Sequence, residues 1–207
     1  HIDLHEWFPK RLRAGSTRGL FLLQGYHAWG RNFIASSLVD TRSVAGGSGY
    51  MYADEFGFDE PTLVRNAPPF EDLTPSEVTG KPIRLIHHGL AGVNRGFGYM
   101  VDAMRLVDPG FHLTFMLAGN QKVIADLRKQ IEDDEALISI VPPVPMVDLA
   151  REINKYDVEV MFFPPVTDNL ATALPNKMLE AVQGRLALVT RPTPTMTAIV
   201  NEQANGV

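Results

Sequence analysis

Cysteine is absent from the 207 residues, which excludes a disulfide framework and a thiolate zinc site and is compatible with a cytosolic, reducing environment. No apolar run approaches the roughly 18 residues that a membrane span requires, and the N-terminus lacks a signal-peptide layout. A cytoplasmic location is therefore the expectation. Basic residues are scarce: 19 Lys and Arg stand against 24 Asp and Glu, a net charge of −5 with a pI near 5.7. That balance argues against a nucleic-acid groove, although phosphate can still be held locally. Without thiolates, a bound catalytic zinc is disfavoured and no metal is expected. Internal repeats and low-complexity tracts are missing too.

What is present is a 45% hydrophobic composition, enough to bury a core in one large or two small domains. From about Lys81 onward, short apolar runs alternate with segments of helical period. Strands are expected at Ile83 to His88, His112 to Leu117, Ile138 to Val141, Val158 to Phe163 and Leu186 to Thr190. Helices are expected around Phe97 to Val107, from Gln121, around Met146 to Tyr156, over Asn176 to Gln183 and around Met196 to Val200. Strict β-α alternation with near-continuous apolar strands predicts an α/β fold whose parallel sheet is covered on both faces.

The first 80 residues read differently. A helix is expected from about Arg18 to Ser37, a strand near Arg42 to Ala45, a short helix around Tyr50 to Phe56, and a strand over Thr62 to Arg65. The run from Ala67 to Pro75 carries three prolines and two acids, cannot sit inside a helix or central strand, and reads as an interdomain linker. The boundary is placed at about residue 78, dividing a partial N-terminal domain (1–78) from a second domain (79–207).

The most informative stretch is Leu174-Pro175-Asn176-Lys177-Met178-Leu179-Glu180, followed by Gly184 and the strand that ends at Thr190. Pro175 suits a helix start, so free N–H groups point into the preceding loop, which leaves the C-terminal end of a parallel strand. A carboxylate one turn into that helix can accept ribose hydroxyls while the helix N-terminus faces phosphate; a solvated glutamate is the plain alternative. Lys177 opposes the helix dipole unless an anion sits there. A second motif, Gly89-Leu90-Ala91-Gly92-Val93-Asn94-Arg95-Gly96, follows the first strand of the second domain. Its glycine spacing is not the dinucleotide fingerprint, so NAD is disfavoured, but it offers close backbone approach at Gly89 and a cation at Arg95. Gly119 fits a strand-end turn. Of His87 and His88, one is expected to face a cleft and the other to be a hydrogen-bonded core histidine.

The "L-P-N-K-x-x-E" stretch resembles the donor-binding motif of the GT-B glycosyltransferases, in the large group that includes many retaining enzymes. The likeness extends to Asp3-Leu4-His5-Glu6, to Ala53 to Gly57, and to Leu63 to Pro68, which are similar to the second half of a GT-B N-terminal domain. The resemblance implies a Rossmann-like donor-binding domain preceded by part of a second Rossmann-like domain. The first strands of that N-terminal domain and the tail closing the donor domain are expected to be absent, since both His1 and Val207 read as cut ends, and the chain alone is expected not to turn over.

In such a family Glu180 binds the nucleotide ribose, Gly89 meets the diphosphate, and Arg95 and Lys177 neutralise it. Leu174, Asn176 and Gly119 line the donor site, and His5 lies in the cleft near the transferred sugar. The implied donor is a nucleoside diphosphate sugar with no separate cofactor. The implied acceptor is carbohydrate or lipid-linked, the latter compatible with peripheral membrane contact. Two departures stand out: Thr172 occupies the position of a second glutamate, and Leu90 that of a second basic residue. They leave a non-catalytic nucleotide-binding or scaffold relative as the alternative. A sugar-nucleotide epimerase of the same fold would need a carboxylate-and-histidine set around the donor sugar, which the sequence does not display.

Overall fold

The computed structural model describes residues 43–45, 62–64, 67–78, 80–165, 170 and 174–203. The chain divides into two compact units, His1–Asn66 and Ala67–Val207. In the first, the described elements are two short strands, β1 (Ser43–Ala45) and β2 (Thr62–Val64), paired in parallel. The expected helices over residues 18–37 and 50–56 lie outside the described residues.

The second unit is a five-stranded parallel sheet in the order β5-β4-β3-β6-β7, with helices between strands. Its elements are β3 (Ile83–Ala91), α1 (Phe97–Met104), β4 (Phe111–Gly119), α2 (Gln121–Gln130), β5 (Ile138–Val141) and α3 (Met146–Ile153). They continue with β6 (Val158–Met161), α4 (Asn176–Gln183), β7 (Ala187–Thr190) and α5 (Pro194–Gln203). The strand order reverses between β3 and β6, the topological switch point at which open α/β sheets bind ligands outside the strand C-termini.

Burial follows strand alternation. Leu113, Phe115 and Leu117 pack with Phe97, Met100, Val101, Met104, Ile124 and Leu127 on the α1 and α2 face. Ile86, Met116, Met161 and Leu188 pack with Leu149, Ile153, Met178, Ala181, Met196 and Ile199 on the α3, α4 and α5 face. Such burial, at roughly 25 cal/mol per Å² of apolar surface, holds the sheet between its two helix layers. Helix starts follow local chemistry. The Asn120 side chain accepts from the Lys122 and Val123 N–H groups at the head of α2, and Thr193 Oγ1 accepts from the Met196 N–H ahead of α5.

Four strands differ in their bounds from the sequence reading: β4 runs from Phe111 to Gly119 rather than from His112 to Leu117, β7 begins at Ala187 rather than Leu186, and β3 and β6 differ at their C-terminal ends. β3 runs on through Gly89, Leu90 and Ala91, because these three pair with Leu117, Ala118 and Gly119 of β4. β6 stops at Met161 rather than Phe163. Against β6, β3 pairs only at Leu85↔Val158 and Ile86↔Glu159, so the ladder ends there, at the switch point beside which such sheets place a ligand crevice. The segment read as a linker is extended and is tied to the second unit. The Arg185 Nε donates to the Leu73 carbonyl (2.8 Å), the Asn154 amide to the Thr74 carbonyl (2.9 Å), and Arg151 pairs with Glu71 (3.0 Å).

Candidate functional site

The crevice is built from the C-terminal half of β3, the residues just after β6 and the first turn of α4. Consecutive side chains of a strand point to opposite faces, and both faces here are covered, so His87 and His88 are both buried, at 0% and 2% exposure. The expectation that one of them would line the cleft is corrected on that ground. Each instead binds a polar residue of α4.

On one face, His87 Nδ1 lies 2.6 Å from the Val160 carbonyl and Nε2 lies 3.0 Å from Lys177 Nζ. A carbonyl only accepts and an ammonium only donates, so Nδ1 carries the proton and Nε2 accepts from Lys177. The ring is therefore neutral. Burial, followed by the Lys177 charge, holds its pKa well below the ordinary 6.5. Phe97, Phe115 and Phe163 pack edge-on around it.

On the other face, His88 Nδ1 donates to Glu159 Oε2 (2.8 Å) and Nε2 donates to Glu180 Oε2 (2.9 Å). Both ring nitrogens face carboxylates, so both carry protons and the ring is an imidazolium. Burial alone would lower its pKa, but the charge and hydrogen bond of Glu159 and the bond to Glu180 raise it to about 9. Glu159 is fully buried and also accepts from the His88 backbone N–H at 3.3 Å. Two adjacent histidines are thus held in different charge states, His87 neutral and His88 cationic.

Lys177 reaches His87 by crossing over Gly89. A Cβ at Gly89 would lie 3.2 Å from Lys177 Cε and Nζ, and the Gly89 φ of 119° is a conformation that side chains resist. The ammonium lies 5.4 Å from the centre of the Phe163 ring, and the Arg95 guanidinium lies 5.6 Å from the same centre. Burial lowers the Lys177 pKa to about 8, with Arg95 pushing the same way against the pull of Glu159 and Glu180. Among the described residues Arg95 forms no ion pair. The α4 N-terminus beside these two cations has no side-chain cap and no acid in its first turn. Converging cations and open helix N–H groups are the makings of an anion site.

Gly89, Arg95, Lys177 and Glu180 are therefore brought together at the switch point. Gly119 ends β4 beside Leu90. Leu174 is partly buried against the α3, α4 and α5 core, and Asn176 is exposed. His5 and Thr172 lie outside the described residues. Sequence reasoning missed Glu159, whose signal was a lone carboxylate inside an apolar strand, where an unpartnered charge is costly. It also missed the buried ion cluster of Glu159, His88 and Glu180, which the fold assembles from three separate elements. An open groove of about 610 Å³ between the residues after β3 and α2, bounded by Tyr99, Asn120, Lys122 and Asp126, shares Arg95 with this site.

No family model matches the chain, and no curated protein matches it in sequence. Among solved structures it is similar to a GtfA/B complex, with a TM-score of 0.59 and 16% identity over 84% of this chain and 35% of the other. It is similar to the pneumococcal O-GlcNAc transferase GtfA in complex with UDP and GlcNAc, with a TM-score of 0.51 and 15% identity over 74% and 30%. It is also similar to TarM, with a TM-score of 0.50 and 12% identity over 79% and 32%. The chain spans about a third of the length of these structures. At such identities the likeness is one of fold, and the fold is α/β with a Rossmann-like parallel sheet, as the alternation of strands and helices predicts.

Proposed function

We propose that this chain carries the nucleotide-sugar site of a GT-B glycosyltransferase that moves a sugar from a nucleoside diphosphate sugar to an acceptor hydroxyl with retention of configuration. The observation that supports this best is the convergence of Arg95, Lys177 and the uncapped α4 N-terminus at the switch-point crevice, with Glu180 one turn further along the same helix. In this reading the two cations and the helix N–H groups hold the diphosphate, and Gly89 lets it approach the backbone. The Glu180 carboxylate, one oxygen of which is engaged by His88, accepts from the ribose hydroxyls. As the bond from the anomeric carbon to the diphosphate oxygen breaks, the same cations stabilise the charge on the leaving group. The acceptor oxygen takes its place on that carbon and passes its proton to the departing diphosphate oxygen.

A second reading, a non-catalytic nucleotide-binding relative, is favoured by Leu90. It is 65% exposed at the position where the resemblance implies a second basic residue. Both readings require nucleotide binding, and they differ in turnover by the full-length protein. The test is calorimetric titration with UDP, GDP and ADP, repeated on Glu180→Ala. A charge-assisted hydrogen bond of roughly 1.5–3 kcal/mol predicts about ten- to a hundredfold weaker binding in the variant. Selective binding that the variant loses supports the site, and binding indifferent to the substitution removes Glu180 from it.

A further inference from the structure

The buried ends of the two α4 side chains need an explanation that nucleotide contacts do not supply. Lys177 and Glu180 are three residues apart on one helix, yet each ends on a different member of the dipeptide His87-His88. Lysine carries four rotatable side-chain bonds and glutamate three, so on an open helix surface both would sample many rotamers, and ordering a long side chain costs up to about 2 kcal/mol. Here that freedom is removed before any ligand arrives. His87 cannot turn over, because its Nδ1–H is committed to the Val160 carbonyl and three phenylalanine rings enclose it. His88 cannot turn over either, since Glu159 grips it through both Nδ1 and the backbone N–H.

We propose that His87 and His88 are the positioning residues of this site, His87 fixing the Lys177 ammonium for a diphosphate and His88, held by the fully buried Glu159, fixing the Glu180 carboxylate for a ribose. The assignment rests on the nucleotide-sugar reading given above. Neither histidine is a catalytic residue in this scheme, since both are buried and act through α4. Glu159 acts one step further back, through His88. Gly89, the residue by which β3 continues past His88 against β4, leaves the gap that the lysine crosses.

The two arms make separable demands, and that separation tests the proposal. The probes are UDP and uridine, or the guanine or adenine pair if the wild-type protein selects that base. Glu159→Gln releases the ribose arm and should weaken nucleoside and nucleoside diphosphate alike, by about tenfold. His87→Phe, which keeps a flat ring among the aromatics, releases the phosphate arm and should weaken the diphosphate while leaving the nucleoside unchanged. Glu159→Gln added to Glu180→Ala, and His87→Phe added to Lys177→Met, should each bring no further loss. If Glu159→Gln does not fold, His88→Gln carries the same comparison. Folded variants that lose both probes equally through the His87 arm, or full additivity in either double variant, overturn the proposal. Imidazole NMR of the free protein gives a readout that needs no nucleotide, because the His88 ring signals should shift in Glu180→Gln. Wild-type protein that shows this shift but binds no nucleotide overturns the nucleotide-site reading and the role given to the histidines with it. Binding that Glu159→Gln and His87→Phe leave intact, while Glu180→Ala and Lys177→Met weaken it, overturns the histidine assignment alone.

Discussion

His88 Nε2 and Glu180 Oε2 lie 2.9 Å apart, joining the central strand of the sheet to α4 across 92 residues of sequence. The contact makes the stability of the fold and the geometry of the site depend on one imidazolium. Three buried bases at this place titrate out of their ordinary ranges, in different directions.

Stability should accordingly peak near neutrality. His88 has a folded pKa of about 9 against an ordinary 6.5, so its contribution is complete below 6.5 and is lost as the pH rises through about 9. By linkage the loss is on the order of 3 kcal/mol. His87 stays neutral in the fold, so below 6.5 only the unfolded chain takes up that proton and stability falls with pH. Lys177, lowered from 10.5 to about 8, contributes the opposite slope from His88, and stability recovers as the pH climbs between those two values. Urea unfolding between about pH 5 and 10 should show a maximum near 6.5 and a shallow minimum between about 8 and 9. The fall above neutrality should flatten in Glu159→Gln. A profile without it would show that His88 is not held as an imidazolium.

Diphosphate binding should weaken above about pH 8. The ammonium form of Lys177 is the one that attracts an anion, and in the free protein it is lost above about 8. UDP affinity measured by calorimetry should fall by up to about tenfold per pH unit above that point. Lys177→Met should bind more weakly at neutrality and lack the break. A break that persists in the variant would belong to another group.

The regular part of this architecture is legible in the sequence because each strand from Ile138 to Thr190 is a short apolar run between helical periods, and period is a local signal. The start of α4 at Asn176 and its stop at Gly184 follow from Pro175 and from a glycine whose Cα faces Ile153. What was not legible depends on pairing at long range. The extension of β3 to Ala91 comes from β4, since His87, His88 and Gly89 interrupt the apolar pattern on which a strand is recognised. The partnership of Glu159 with His88 spans 71 residues and has no spacing to betray it. Gly89, Arg95, Lys177 and Glu180 were found because their local settings, a strand end and a helix start, already restrict what they can do. The two histidines were not resolved, because the partners that bury them, Lys177 and Glu180, lie 90 and 92 residues further along the chain.

Arg84 and Asp157 offer a control at the opposite end of the same two strands. Asp157 accepts from the Arg84 backbone N–H (2.7 Å), Nε (3.1 Å) and Nη2 (2.6 Å). Burial would raise the Asp157 pKa, but these bonds outweigh it and hold the carboxyl below its ordinary value. Stability from this pair is present above an ordinary pKa of 3.8 and is lost as the pH falls through the lower folded value. Asp157→Asn should cost roughly 1.5–3 kcal/mol and reduce acid sensitivity. Nucleotide affinity should not change, because the pair lies at the strand N-termini. A loss of affinity at preserved folding would mean that the sheet transmits strain to the crevice.

Three glycines of the second unit should respond to alanine in a fixed order. Gly98 lies in the first turn of α1, and its new methyl would meet Gln130 Nε2 at an ordinary 3.6 Å, so Gly98→Ala should stabilise by about 0.5 kcal/mol through lost unfolded-state freedom. Gly184 has an ordinary φ of −72°, but its methyl would lie 2.6 Å from Ile153 Cγ1. That is overpacking of a core contact between α3 and α4, with a cost of about 1–3 kcal/mol. Gly96 combines a φ of 77° with a methyl that would collide with the Phe162 carbonyl oxygen, and backbone cannot rotate out of the way as a side chain can. Gly96→Ala should therefore be the most damaging of the three, by more than about 2 kcal/mol. It should also cost nucleotide affinity, since Gly96 joins Arg95 to α1 and packs on the residue next to Phe163. Urea midpoints in the order Gly98→Ala, wild type, Gly184→Ala, Gly96→Ala are the expected result. A Gly96→Ala midpoint equal to wild type would show that the loop between β3 and α1 can shift, and that Arg95 is not held where the anion site needs it.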